Sequence, residues 1–182
     1  MRIIYKASVC ALLTFCIFDV FGQITVAEPE YTGTIVYVDI DQAKPLEKQK
    51  ATTKTKTDAS LYITGIGKVK VLNNFNISRS TVRIAKRDSL TFIVQAGGNG
   101  VDPKEFIGVL KLEQNLKKNL RFFEVLSSGT FSGTRSNDLS GIPFAAKKYG
   151  EKSYLINIQK QLVPGEYAIT MDGVTFSLFG VD

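Results

Sequence analysis

Residues 161–182 read QLVPGEYAITMDGVTFSLFGVD, and the way this stretch pairs with itself decides the fold. Asp172-Gly173 is a favoured two-residue hairpin loop, because both central positions of a type I′ turn need positive φ. With that loop, Met171 opposes Val174, Ile169 opposes Phe176 and Tyr167 opposes Leu178. Side chains alternate along a strand, so these six project to one side. Thr170 then meets Thr175 and Ala168 meets Ser177 on the other side, with Phe179 opposite Glu166 as the exception. A slip of one residue would spread the apolar set over both faces. This register predicts a closing β-hairpin with one apolar face, led in by Pro164-Gly165. Each large side chain contributes about 1.5–3 kcal/mol when buried, so the segment reads as core and not as a binding tail.

Moving outward, the chain before the hairpin is a series of short strand patterns. Tyr154, Ile156 and Ile158 alternate onto one face, after IPFAAKKY and a Gly150-Glu151 turn. GVLKLE and RFFEVLSSG flank a polar loop at 114–119. Leu90, Phe92 and Val94 keep period two, as do Val82 with Ile84 and Val69 with Val71. LYI at 61–63 adds a strand-like run before a Gly65-Ile66-Gly67 break, and TGTIVYVDI supplies the first strand. No run of ten or more residues carries a 3.6-residue period. The single helical signal is Asp102, Pro103 and Glu105, an N-cap, a first-turn proline and a capping-box acid. About nine or ten strands of ordinary length emerge. They predict an all-β chain, a two-layer antiparallel β-sandwich of immunoglobulin-like or jelly-roll-like kind with a C-terminal β-hairpin.

Two stretches read as loops. QAKPLEKQKATTKTKTDAS, at 42–60, is rich in Lys and Thr and nearly free of large apolar residues. A paired edge strand in KATTKTKT is its alternative, since threonine and lysine alternate there. The Ser/Gly-rich 127–141 is the second, with Thr130 and Phe131 as candidates for a short strand.

The amino terminus, MRIIYKASVCALLTFCIFDVFGQ, has a basic start at Arg2 and Lys6, an apolar run over 7–18, and a cleavage-type end at Gly22. It predicts a cleaved secretory signal over 1–22 and one domain over 23–182. A membrane anchor needs about 20 apolar residues, and Asp19 interrupts this run. A lipoprotein would use Cys16, but Phe15 stands where a small residue is wanted. Both cysteines, Cys10 and Cys16, fall in the signal, so no disulfide framework is expected in the exported chain. Removing Arg2, Lys6 and Asp19 from 23 basic and 17 acidic residues leaves 21 and 16, a net charge of +5. That excess favours solubility and, secondarily, an anionic partner.

The exported portion has no His, Cys or Trp. Imidazole-based Ser and Cys nucleophiles are therefore excluded, as are zinc and most transition-metal sites. Gly65-Ile66-Gly67-Lys68 lacks the spacing of a phosphate loop. The lysine-rich 42–60 lacks the aromatic residues that stack nucleic-acid bases. Carboxylates remain, with Asp39, Asp41, Glu113, Glu124 and Asp138 as candidates for a glycosidase pair. Asp39 and Asp41 share one side of a strand end, a start for calcium that lacks the other ligands. A Ser-Lys dyad among Ser127, Ser128 and Lys147 has no supporting motif. Tyr31, Tyr37 and Tyr149 are candidate sugar-stacking walls. Asn76-Ile77-Ser78 fits the N-glycosylation sequon, and Asp88-Ser89-Leu90 fits a short bacterial O-glycosylation pattern.

Phe21-Gly22-Gln23, VRIAK, IPFAAKKYGEKSYLI, PGEYAIT and FSLFGVD together resemble uncharacterised exported β-rich proteins of Gram-negative bacteria. The resemblance covers most of the exported chain. It implies export, periplasmic or outer-surface or extracellular, and a β-rich domain, and carries no functional residue. The expected function is a non-enzymatic binding or structural module of the cell envelope, with no catalytic, cofactor or metal residues assigned. An envelope protein or an anionic glycan is the expected partner, with no nucleic acid and no integral membrane segment after cleavage. The alternative is a carboxylate-based glycan hydrolase.

Overall fold

A computed structural model describes residues 26–137 and 141–182. The signal-sequence reading, both cysteines and Asp138 lie outside the described residues. No helix among those described is long and apolar enough to cross a membrane.

In chain order the strands are β1 (Ile35–Asp39), β2 (Gln42–Pro45), β3 (Glu47–Lys50), β4 (Thr52–Thr57), β5 (Lys68–Asn76), β6 (Arg83–Ile84) and β7 (Leu90–Gln95). They continue with β8 (Gly108–Asn115), β9 (Leu120–Gly129), β10 (Gly133–Ser136), β11 (Ala145–Tyr149), β12 (Ser153–Ile158), β13 (Gly165–Thr170) and β14 (Thr175–Val181). One short α-helix, α1 (Ala59–Thr64), and a 3-10 turn at Pro103–Glu105 complete the set. Asp102 caps that turn, accepting from the Lys104 amide at 3.0 Å.

The strands form two layers. One is a five-stranded sheet, β11-β12-β7-β1-β2; the other is a nine-stranded sheet, β3-β14-β13-β8-β9-β5-β4, with β10 beside β9 and β6 beside β14. All pairings are antiparallel except β6 with β14. The β-sandwich core lies where Phe92, Val94, Tyr154 and Ile156 of the small sheet meet Tyr167, Ile169 and Phe179 of the large one. Phe92 packs on Phe179 with ring centroids 5.1 Å apart. The small sheet is also covered outside, where Val26 lies over Val36, Ile93 and Leu155. Glu28 fastens that cover. Its carboxylate accepts from the Glu151 and Lys152 amides and from Ser153 Oγ at 2.6–3.0 Å. Gly150 passes under it with φ 56°, where a Cβ would collide with the carboxylate.

The large sheet curls, and its concave side holds a second core of Phe75, Leu110, Leu112, Ala168, Phe176 and Leu178. This corrects the expected hairpin register. Tyr167 pairs with Phe179 and Ala168 with Leu178, one residue away from the type I′ alignment. Tyr167, Ile169 and Phe179 face the sandwich core, while Phe176 and Leu178 face the curl; Val174 is exposed. The apolar set is spread over both faces because both faces are buried. The wider turn, five residues between the paired Thr170 and Phe176, has its own hydrogen bonds. Asp172 Oδ1 accepts from the Val174 and Thr175 amides at 2.9 and 2.7 Å, and Thr170 Oγ1 donates to the Thr175 carbonyl at 2.8 Å.

The segment 42–60 is also corrected: its first sixteen residues are three strands. β2 belongs to the small sheet, Leu46 is buried at the crossing, and β3 continues in the large sheet. Ala51 turns the chain again into β4, the edge strand that was the alternative reading. LYI at 61–63 lies in α1, not a strand, and α1 stops at Gly65, whose φ of 71° makes the left-handed cap. In 127–141, β9 runs on to Gly129 and hairpins back as β10, with Thr130 and Phe131 in its turn.

Candidate functional site

Away from the small sheet, β4, β5, β9 and β10 continue as a four-stranded arm. Directly opposed residues in antiparallel strands share a face, so the register lays out what that face presents. Lys56 opposes Lys70, Lys70 opposes Ser127, and Ser127 opposes Arg135. One row across the four strands thus carries three cations around a hydroxyl. Lys68 and Lys54, two residues along their strands, join the same face. The Lys56 ammonium also lies 5.6 Å from the Phe122 ring centre.

Within this face is a mostly polar cavity of about 300 Å³ lined by Lys68, Lys70, Glu124, Ser127, Ser128, Ser132 and Arg135. Glu124 is its anion. The Lys70 ammonium donates to it at 2.6 Å, and this bond, with a further one from Ser127, holds its carboxyl below the usual range. The same pairing raises Lys70. Among the described residues, Lys54, Lys56, Lys68 and Arg135 form no ion pair, so the face keeps a positive excess. A bulge in β9 opposite Val71/Leu72 re-aims the strand between Glu124 and Ser127. That bulge brings carboxylate and hydroxyl to the same side although they are three positions apart.

Several residues singled out in the sequence meet here. Ser127 and Ser128 line the cavity beside Lys68 and Lys70, whereas Lys147 is on β11 of the other sheet. Glu113 opposes Phe122 at the last pair of the β8–β9 ladder, on the side of the sheet that also carries Glu124, two residues further along β9. The other candidates are elsewhere. Asp39 pairs with Lys44 at 2.5 Å and Arg87 at 2.8 Å at the end of β1. Asp41 is exposed beside it, and the described residues contain no group of three acids that could hold a metal. Tyr37 is buried, Tyr149 donates to the Val26 carbonyl, and Tyr31 is exposed away from the arm. Asn76 and Ser89 are both exposed.

The densest charge cluster is one the sequence reading missed. Arg121, fully buried, donates to Glu166 at 3.2 Å and to Glu47 at 2.9 Å. Arg83 bridges Glu166 to Asp182. Ser80 donates its amide to Glu166 at 2.7 Å and its hydroxyl to Glu47 at 2.7 Å. Burial opposes ionisation of Glu47, but Ser80, the Thr81 amide and Arg121 outweigh it and hold the carboxyl below its usual range. Every acid here is committed to an arginine, and Glu166 has 1% exposure. Asp182 is the exposed acid of the cluster, and its carboxylate is shared between Arg83 and Arg79. Glu166, the one acid on the paired strands of the hairpin, was the cluster's trace in the sequence. The chain matches no known protein family, no characterised protein and no solved structure.

Proposed function

We propose that this chain is an exported, non-enzymatic β-sandwich of a Gram-negative cell envelope that binds an acidic glycan across the basic face of its arm. The observation that carries the reading is the row Lys56–Lys70–Ser127–Arg135, with Lys68 beside the polar cavity. Carboxylate or sulfate groups on a sugar chain suit such a row. The arginine can engage two acceptor oxygens at once and the lysines act as point charges. Hydroxyls of Ser127 and Ser132 supply partners for sugar hydroxyls. The sequence-based reading of a signal at 1–22 supports export, and the acidic glycans of an envelope are then within reach.

Calorimetric titration with a uronic-acid polysaccharide tests this, with dextran as the neutral control. Binding should weaken steeply as salt rises, because exposed charges are screened over about 10 Å at 0.1 M. Lys70→Glu with Arg135→Glu should abolish it. Equal binding of dextran, or undiminished binding by the double variant, would overturn the reading.

A second reading rests on Glu113 and Glu124, which share one side of the sheet, as the carboxylate pair that an inverting glycosidase needs. Glu124, held ionised by Lys70, would be the base and Glu113 the acid. Reducing-end release from the same polysaccharide, lost in Glu113→Gln, would establish it.

A further inference from the structure

The arm ends in two loops that lie side by side. α1 with residues 65–67 joins β4 to β5, and residues 130–132 join β9 to β10. They are fastened by Thr130, whose amide donates to the Gly67 carbonyl at 3.2 Å. Its hydroxyl accepts from the Gly67 amide at 3.2 Å and donates to the Gly65 carbonyl at 3.2 Å. Four large apolar side chains stand on this end. Tyr62, Ile63 and Phe131 are 80%, 83% and 84% exposed, and Ile66 is 49% exposed. Single exposed apolar residues are ordinary, but a group at the extremity of a projecting element marks a contact site.

We propose that this tip inserts into the headgroup region of an anionic lipid bilayer. Interfacial insertion needs only apolar groups that reach past the headgroups, with basic residues behind them. Charge selects a membrane over a protein partner. Lys54, Lys56 and Lys68 stand exposed on the strands directly behind the tip, where a basic cluster meets an anionic lipid surface. The only acid in the loops, Asp58, is engaged by the Lys68 amide, from which it accepts at 3.0 Å. The apolar tip has no part in the glycan reading, but Lys54, Lys56 and Lys68 belong to the same basic face, so the test alters the apolar side chains alone.

Vesicle co-sedimentation of the purified protein tests it, comparing phosphatidylglycerol-containing vesicles with pure phosphatidylcholine. The protein should partition onto the anionic vesicles and much less onto the neutral ones. Ile63→Ser with Phe131→Ser should lower partitioning by at least about tenfold while keeping the unfolding midpoint, because both side chains are exposed. Polysaccharide binding by that variant should persist. Absence of vesicle binding, equal binding by the double variant, or equal binding to neutral vesicles would overturn the proposal. Absence of polysaccharide binding by the unaltered protein, with its vesicle binding intact, would count against the glycan reading only.

Discussion

Glu166 shows how one residue can be held by its surroundings. It sits opposite Gly180, and a Cβ at that glycine would fall on the Arg83 guanidinium. Gly180→Ala should therefore push Arg83 off Glu166 and lower stability by about 1–3 kcal/mol in urea unfolding. An unchanged midpoint would show that Arg83 has room to move. Arg121→Met should cost about 3–5 kcal/mol, because it leaves the buried Glu166 and the partly buried Glu47 without their shared cation. The same cluster sets an acid limit. Glu47 is lowered by bonds made only in the folded state, as is Asp172, where the Thr175 and Val174 amides outweigh burial. A depressed carboxyl pKa contributes stability that is complete above the ordinary value, about 4, and is lost as pH falls through the folded value. Unfolding midpoints should stay level from pH 7 to about 5 and fall below about 4. Glu47→Gln should be less stable at pH 7 and decline less on acidification; a parallel decline would contradict this assignment.

Among the elements, the apolar strands were legible and the polar ones were not, apart from β4, which the alternation of threonine and lysine offered as an alternative. The patterns at β1, β5, β7, β8 and β12–β14 rest on buried alternation or buried runs, and those at β9 and β11 on half-buried residues. β2, β3, β4 and β10 carry the sequences QAKP, EKQK, TTKTKT and GTRS, with mostly exposed side chains. Their pairing is set by the backbone of a neighbour, which leaves little hydrophobic signature to read. The hairpin failed differently. Its strands and turn region were visible, but the register argument assumed one wet face. The curl of the large sheet, formed by residues far away in sequence, removes that assumption. Substitution separates the two registers: Val174→Ser should change stability by less than about 0.5 kcal/mol, whereas Phe176→Ala should cost about 3–5 kcal/mol. Comparable losses at both positions would restore the type I′ alignment. Deleting the chain from Pro164 onward should abolish folding, since β13 and β14 wall both cores.

For the whole molecule, the two cores serve as the rigid base of a four-stranded arm with a basic face and an apolar tip. The candidate site was only partly legible. Glu124, Ser127 and Ser128 drew notice as residue types, but their neighbours Lys68 and Lys70 come from β5 and Arg135 from β10. Only the strand order and the bulge in β9 assemble them. The most direct test is amide chemical-shift mapping as a uronic-acid oligosaccharide is titrated into the protein. The account predicts saturable shifts concentrated at Lys56, Lys68, Lys70, Ser127 and Arg135, with the amides of the small sheet unmoved. Shifts centred on Arg79, Arg83 and Asp182, or none at all, would contradict it.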